Sequence, residues 1–427
     1  MATVKTIAIC TAPHTGGIYS TYQRLRTSLR SRGWDVRCVY GASEKRNWYG
    51  YHPSLVDEGC VELGDVNDDL MTTARRFVRW VEEHGIDVVV PMSSKAGLSA
   101  VPHLPPTVQV VTRCFEITPH TYRIAAAQPE RTAAFVATSL RQKNDLVQNY
   151  AIASDRIRLI PHAIDVATFS APRRESADGS VRLGFVDRLD DRQKNIMALP
   201  TIATRLDEAG IHWHLGIVGS GPDEDRLKQA LAKPVKQGKV HFFGARPLAE
   251  MPIRFSKFDI LVKPSRLEGF GISLIEAMSA GVIPVCSRIA GVTDWIINDG
   301  QDGRLVPIGD SIGMADAVIA LCRDPGMLKR MRENARRTVE ERFNLEDFGS
   351  RWNDLFTRVV DDAVVWHDPL PWSQFQLAAP WNRPWKERVV MRSIPRWLKD
   401  WLRIQRERRR SLATAGTAIP ETQEVAP

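Results

Sequence analysis

Short β-rich runs alternate with helical stretches in this 427-residue chain, and the alternation starts twice, once at the N-terminus and again near residue 181. That pattern constrains the fold more than any single residue does, because alternating strand and helix signals build a parallel sheet flanked by helices. Thr6-Ile-Ala-Ile-Cys10 predicts a buried strand, and Thr11 to Gly17 a turn. A helix is expected from about Tyr19 to Arg32, with Leu25 and Leu29 on one face and Gly33 as its stop. Residues 36–40, 87–91, 108–112 and 134–138 continue the strand series.

Residues 169–180, rich in Pro, Arg, Ser, Asp and Gly, read as a linker. Strands are then expected at 181–186, 214–218, 239–243, 260–262 and 283–286. The expected architecture is α/β: two Rossmann-like, doubly wound parallel-sheet domains facing across a cleft, with ligands at the carboxyl ends of the strands. The domains would be residues 1–168 and 181–345, followed by a segment at 346–390 returning to the first domain. Residues 391–427 would form a basic amphipathic helix and a disordered tail.

At about 150 residues per domain this length suits two or three domains. The 43% hydrophobic content lets each of them bury its own core. The six cysteines stand far apart with no Cys-x-x-Cys pair, which argues against the common zinc sites and a disulfide framework and for a reducing cytosol. The first strand is too short for a secretory signal, and no run approaches the roughly 18 apolar residues that span a bilayer. A cytoplasmic protein, soluble or peripheral on the inner face of the membrane, is the expectation.

The stretch from Lys263 to Gly281 carries the chemistry. A strand ends near Pro264, a glycine-containing loop follows, and a helix starts near Ile272 to Ser273. Gly269 and Gly271 let the backbone approach a ligand closely. The helix N-terminus offers N–H groups and a positive dipole end to a diphosphate. Glu268 and Glu276, on either side of that loop, can each bind vicinal hydroxyls, one pair on a sugar ring and one on a ribose. Arg188 and Lys194, just after the strand at 181–186, are the cations that would stabilise a departing nucleoside diphosphate.

Taken in order, the Glu268-x7-Glu276 stretch, the Arg188/Lys194 pair, the Gly219-Ser-Gly-Pro222 turn and the run from Gly291 to Asp302-Gly303 resemble family-4 glycosyltransferases. The resemblance extends to Gly16-Gly17, so it covers roughly residues 5 to 345. It implies a GT-B fold, transfer of a hexose from a nucleotide-diphosphate sugar with retention of configuration, and no metal or other cofactor. By the same likeness Glu268 holds the donor hexose and Glu276 the ribose. Arg188 and Lys194 would hold the diphosphate, Gly16 and Gly17 would approach it from the N-terminal, acceptor-side domain, and backbone N–H groups around Phe270, Gly271, Ile272 and Ser273 would complete the anion site. The acceptor would be lipid-linked, a polysaccharide or another glycan.

One departure stands out. The family often carries a histidine just after the strand corresponding to 108–112, near the reacting sugar. Here Arg113-Cys114 follow and His120 is the nearest histidine, so His120 takes that place, Arg113 substitutes, or neither does. Asp223-Glu-Asp225 reads as helix capping rather than as a metal signature. His14 and His162 read as structural, and Arg246 as either a loop arginine or a neighbour of the nucleobase.

The net charge of +8 is localised. Between Trp381 and Arg410 stand eleven Lys/Arg and three acids, which account for all of it. Ile394, Trp397, Leu398, Trp401 and Leu402 recur at helical spacing within 393–410, the pattern of an interfacial helix on anionic lipid. For Trp366 to Trp385, packing on the N-terminal domain is the expectation. No nucleic-acid module surrounds the basic run. Two other readings remain open: a sugar-nucleotide epimerase or phosphorylase on the same fold, and a non-catalytic sugar- or lipid-binding protein.

Overall fold

The computed structural model describes residues 4–14, 16–47, 51–169, 179–379, 381 and 405. It divides into two compact units, Met1–Val166 with Glu341–Met391, and Ala167–Glu340 with Arg392–Pro427. The basic stretch 393–410, apart from residue 405, and most of the linker lie outside the described residues.

The first unit holds seven parallel strands: β1 (Lys5–Cys10), β2 (Trp34–Gly41), β3 (Cys60–Leu63), β4 (Val88–Val90), β5 (Gln109–Arg113), β6 (Ala134–Ala137) and β7 (Ile157–Leu159). Their order is β3-β2-β1-β4-β5-β6-β7. Ile7 faces Val36 on one side and Val88 on the other, so β1 lies at the point where the strand order reverses. The central strands are near-continuous apolar runs because helices cover both faces of a parallel sheet. Helix Gly17–Arg30 lays Tyr19, Tyr22, Leu25 and Leu29 into this core, against Phe348, Trp352 and Phe356 of helix Leu345–Asp361. It stops at Arg30, and Gly33 takes a left-handed φ of 84° just beyond.

The chain after helix Leu345–Asp361 also packs on this unit. Trp366 donates from Nε1 to Gln109 Oε1 at 3.2 Å, and Trp372 stacks on His103 with ring centroids 4.2 Å apart. Trp381 meets His120 edge-on at 6.2 Å. Trp385 lies outside the described residues.

The second unit holds six parallel strands: β8 (Val181–Val186), β9 (Trp213–Val218), β10 (Val240–Gly244), β11 (Ile260–Lys263), β12 (Ile283–Ser287) and β13 (Arg304–Val306). The order is β10-β9-β8-β11-β12-β13, which puts the switch point between β8 and β11. Leu183, Phe185, Ile217, Ile260, Val262 and Val285 fill its core with the helices. Three strands carried no readable sequence signal, β3, β7 and β13, and all three are sheet edges. At three or four residues each, with several positions only partly buried, they are too short to show a period.

Candidate functional site at the second switch point

Ligands bind outside the carboxyl ends of open parallel sheets where the strand order reverses. In the second unit that place lies beyond Val186 of β8 and Lys263 of β11. The loop after β8 is held by backbone bonds: Asp187 N donates to Val218 O, Leu189 N to Ser220 O, and Asp223 N to Leu189 O. Gly219 has φ of 138°, and a Cβ there would stand 1.9 Å from Asp187 O, so only glycine lets the two loops meet. Asp223 Oδ2 accepts from Asp191 N at 2.8 Å. Asp223 therefore ties to the first N–H of the neighbouring short helix Asp191–Lys194, which Asp190 caps. Glu224 and Asp225 lie in the first turn of their own helix Glu224–Ala230, to which Asp223 makes no side-chain cap bond.

Lys194 ends that short helix and is buried. Its Nζ lies 2.8 Å from Glu268 Oε1 and 2.9 Å from Asp187 Oδ2. Lys263, the last residue of β11, points at the same two oxygens, 2.5 Å from Asp187 Oδ2 and 2.9 Å from Glu268 Oε1. Ser265 Oγ donates to Glu268 Oε1 at 2.8 Å, Lys263 Nζ donates to Ser273 Oγ at 3.1 Å, and Arg188 N donates to Asp187 Oδ1 at 2.9 Å. Two ammoniums and two carboxylates thus form a closed, formally neutral ring. Burial by itself would raise the pKa of Asp187, but Lys194 and Lys263 outweigh it and hold the carboxyl far below its usual range. Burial would lower the pKa of Lys263, and Asp187 with Glu268 overrides that and raises it.

Arg188 stands apart from this ring. Its side chain is about half exposed, and Nη2 donates to Asp190 Oδ2 at 3.1 Å and to Gln193 Oε1 at 2.9 Å. The cations paired in sequence are therefore unlike in place: Lys194 is inside the charge ring, and Arg188 is at the surface.

Between the glutamates, Gly271 takes φ of 99°, where a side chain is strained, and helix Ile272–Ser279 begins at the next residue. The first N–H groups of a helix have no partner within it and face the loop end. Phe270 is buried against Trp295, ring centroids 6.3 Å apart, which anchors the loop beside Gly269. Glu276 is buried on the same helix. Asp302 is buried too, and accepts from Asn298 N and Thr338 Oγ1, a tie within the fold.

The candidates in the first unit divide as well. Gly16 precedes helix Gly17–Arg30 with extended backbone, and a Cβ on it would meet the His14 ring at 2.7 Å. Thr21 Oγ1 donates to Gly17 O at 2.7 Å. Arg113 ends β5 and is 2% exposed; its Nη2 donates to His162 Nε2 at 2.9 Å and its Nη1 to Thr21 Oγ1 at 3.4 Å. Burial lowers its pKa to about 10. His120 is exposed in the first turn of helix Pro119–Ala125. Among the described residues no group of three or more His, Cys, Asp and Glu is placed to hold a metal ion, and no helix is long and apolar enough to cross a membrane.

The family described as Glycosyltransferase Family 4 matches residues 15–168, and that described as Glycosyl transferases group 1 matches 169–338. A phosphatidyl-myo-inositol mannosyltransferase of Mycolicibacterium smegmatis is 30% identical over 341 residues, which cover 72% of this chain and 82% of that protein. The chain is a family-4 glycosyltransferase. A second relative, the N-acetyl-alpha-D-glucosaminyl L-malate synthase of Bacillus anthracis, is 30% identical over 171 residues, 40% of this chain and 42% of its own, so the chain spans under half of that relative's length. A glycosyltransferase from Rickettsia africae shares the fold with a TM-score of 0.67 at 16% identity, covering 84% of this chain and all of that one. The two doubly wound parallel sheets are those of the GT-B fold.

Within this glycosyltransferase, sequence reasoning missed two members of the charge ring, Asp187 and Lys263. A signal was present for Lys263. It closes Ile260-Leu-Val-Lys263, a central parallel strand buried throughout, where a lysine has to find a carboxylate or leave the core. Asp187 gave none, since an acid just past a strand is an ordinary loop residue.

Proposed function

We propose that this glycosyltransferase moves a hexose from a nucleotide-diphosphate sugar to a lipid-linked, polysaccharide or other glycan acceptor, retaining the anomeric configuration without a metal or other cofactor. The observation that carries the reading is the buried Lys194–Glu268 contact at the switch point, beside the start of helix Ile272–Ser279. A carboxylate that accepts sugar hydroxyls, a cation for phosphate and helix N–H groups stand together there. One relative is by name a mannosyltransferase for phosphatidyl-myo-inositol, which fits a lipid acceptor.

In this reading Glu268 and Glu276 accept from hydroxyls of the hexose and the ribose. The bond from the anomeric carbon to the β-phosphate oxygen breaks, and its electron pair stays on that oxygen. Lys194, Arg188 and the N–H groups at Gly271 to Ser273 stabilise the charge. The acceptor oxygen bonds the anomeric carbon on the face the phosphate leaves, and its proton passes to the departing phosphate oxygen. Gly16 and Gly17 are assigned to the diphosphate. His120 is assigned to the place of the family histidine near the reacting sugar, because Arg113 is buried and committed to His162 and Thr21.

A thermal-shift screen over nucleotide sugars, followed by product analysis with and without a chelator, tests this. Selective stabilisation by one donor, then chelator-resistant transfer giving a product with the donor's anomeric configuration, is expected. Isomerised donor without transfer would indicate an epimerase. Sugar binding with neither transfer nor hydrolysis would indicate a non-catalytic protein.

A further inference from the structure

Lys194 is assigned to the donor's diphosphate, yet it bridges Asp187 Oδ2 and Glu268 Oε1 in this structure. A lysine drawn to phosphate leaves those two carboxylates behind, buried and facing each other's charge. Lys263 touches the same two oxygens and is buried more deeply than Lys194. It is also tied to Ser273 on the helix that starts beyond the glycine loop.

From this double bridging we propose that Lys263 is a positioning residue, a fixed counter-cation that holds Asp187 and Glu268 in place and so frees Lys194 to follow the departing diphosphate. The inference rests on the donor-site reading above and adds a division of labour to it. With both lysines the ring is neutral before the donor arrives. When Lys194 leaves, Lys263 still faces both acids and keeps Glu268 aimed. Without Lys263, Lys194 would be the one cation between two carboxylates, and a buried charge pair resists separation strongly. The mobile cation would be locked in the ring.

The groups facing Lys263 are Asp187 beyond β8, Lys194 from helix Asp191–Lys194, Glu268 from its own loop and Ser273. Cys286, its register partner on β12, is kept protonated by burial. The arrangement predicts a rescue that a purely structural lysine would not show. Lys263→Met leaves the ring one negative charge in excess, and Asp187→Asn in the same protein removes that excess.

Steady-state kinetics with the donor found by the screen test this. Lys263→Met should lower kcat about tenfold or more, with a smaller change in donor KM. Its acid limb of kcat/KM should move to higher pH, since Asp187 has lost one of the two cations that hold its carboxyl low. Lys263→Met/Asp187→Asn should turn over faster than Lys263→Met alone, and Lys263→Arg should stay close to the unaltered protein. A double variant no faster than the single one overturns the inference, and so does an acid limb that does not move. If the unaltered protein turns over no nucleotide sugar, the transferase reading fails. The same cycle read as urea midpoints without donor still tests the charge balance: Asp187→Asn should relieve the loss caused by Lys263→Met, and simple additivity would overturn it.

Discussion

Lys194 Nζ lies 2.8 Å from Glu268 Oε1, although 74 residues separate them in the chain. The contact exists because β8 and β11 are neighbours at the point where the second sheet reverses its order, so the loops after them converge. In the proposed donor site, a carboxylate assigned to the sugar and a cation assigned to phosphate are thereby each other's partner until a ligand competes for them.

Lys194→Ala should therefore act mainly on turnover and Glu276→Ala mainly on donor binding. Removing one preorganised donor to a developing oxyanion costs about 10²–10³ in rate, and that is the drop in kcat expected for Lys194→Ala. Glu276→Ala should raise the donor dissociation constant in calorimetry and leave kcat within about threefold. Unchanged kcat in Lys194→Ala would remove the role assigned to it.

Gly271→Ala places a Cβ on a backbone with φ of 99° at the start of helix Ile272–Ser279. A left-handed conformation costs an L-residue about 1–2 kcal/mol. The variant should lose about that much in urea unfolding, and nucleotide sugars should stabilise it less in thermal shift, because the loop that presents the helix N–H groups must move.

His162 predicts a slope of stability against pH. Burial first, then the cations Arg113 and Arg24, push its pKa well below the ordinary histidine value. In the unfolded chain the imidazole gains its proton near pH ~6.5, whereas in the folded protein it stays neutral. The unfolded state then binds more protons, so stability is full above about pH 6.5 and falls as the pH drops below it. Urea midpoints should decline on that side, and His162→Gln should shrink the decline. His14, lowered by burial, adds a slope of the same sign.

The basic stretch 393–410 makes a prediction that rests on sequence alone. Each Lys or Arg at an anionic surface adds about 1 kcal/mol, so the intact protein should co-sediment with anionic vesicles. A truncation lacking residues 390–427 should not. Equal binding by both proteins would dismiss the membrane role of this segment.

Much of the second unit was legible because its signals are local. Val181-Arg-Leu-Gly-Phe-Val186 and Ile283-Pro-Val-Cys286 show strands by composition, and the glycine loop before Ile272 marks a helix start within a few residues. Edge strands such as β7 were illegible because Ile157-Arg-Leu159 is too short to show a period. The unlike places of Arg188 and Lys194 were illegible for another reason. Both are cations of the short segment after β8, and the bonds of Arg188 to Asp190 and Gln193 turn it away from the ring.

The sequence by itself determined the two α/β units, the loop between Glu268 and Glu276 and the family they belong to, because those depend on runs of neighbouring residues. Tertiary structure decided what Glu268 faces. Asp187 and Lys194 follow β8, whereas Lys263 closes β11 and Glu268 follows it, and strand order brings these two distant segments into one charge ring. Burial then makes their charges count, since ions removed from water have to be matched by contact with one another.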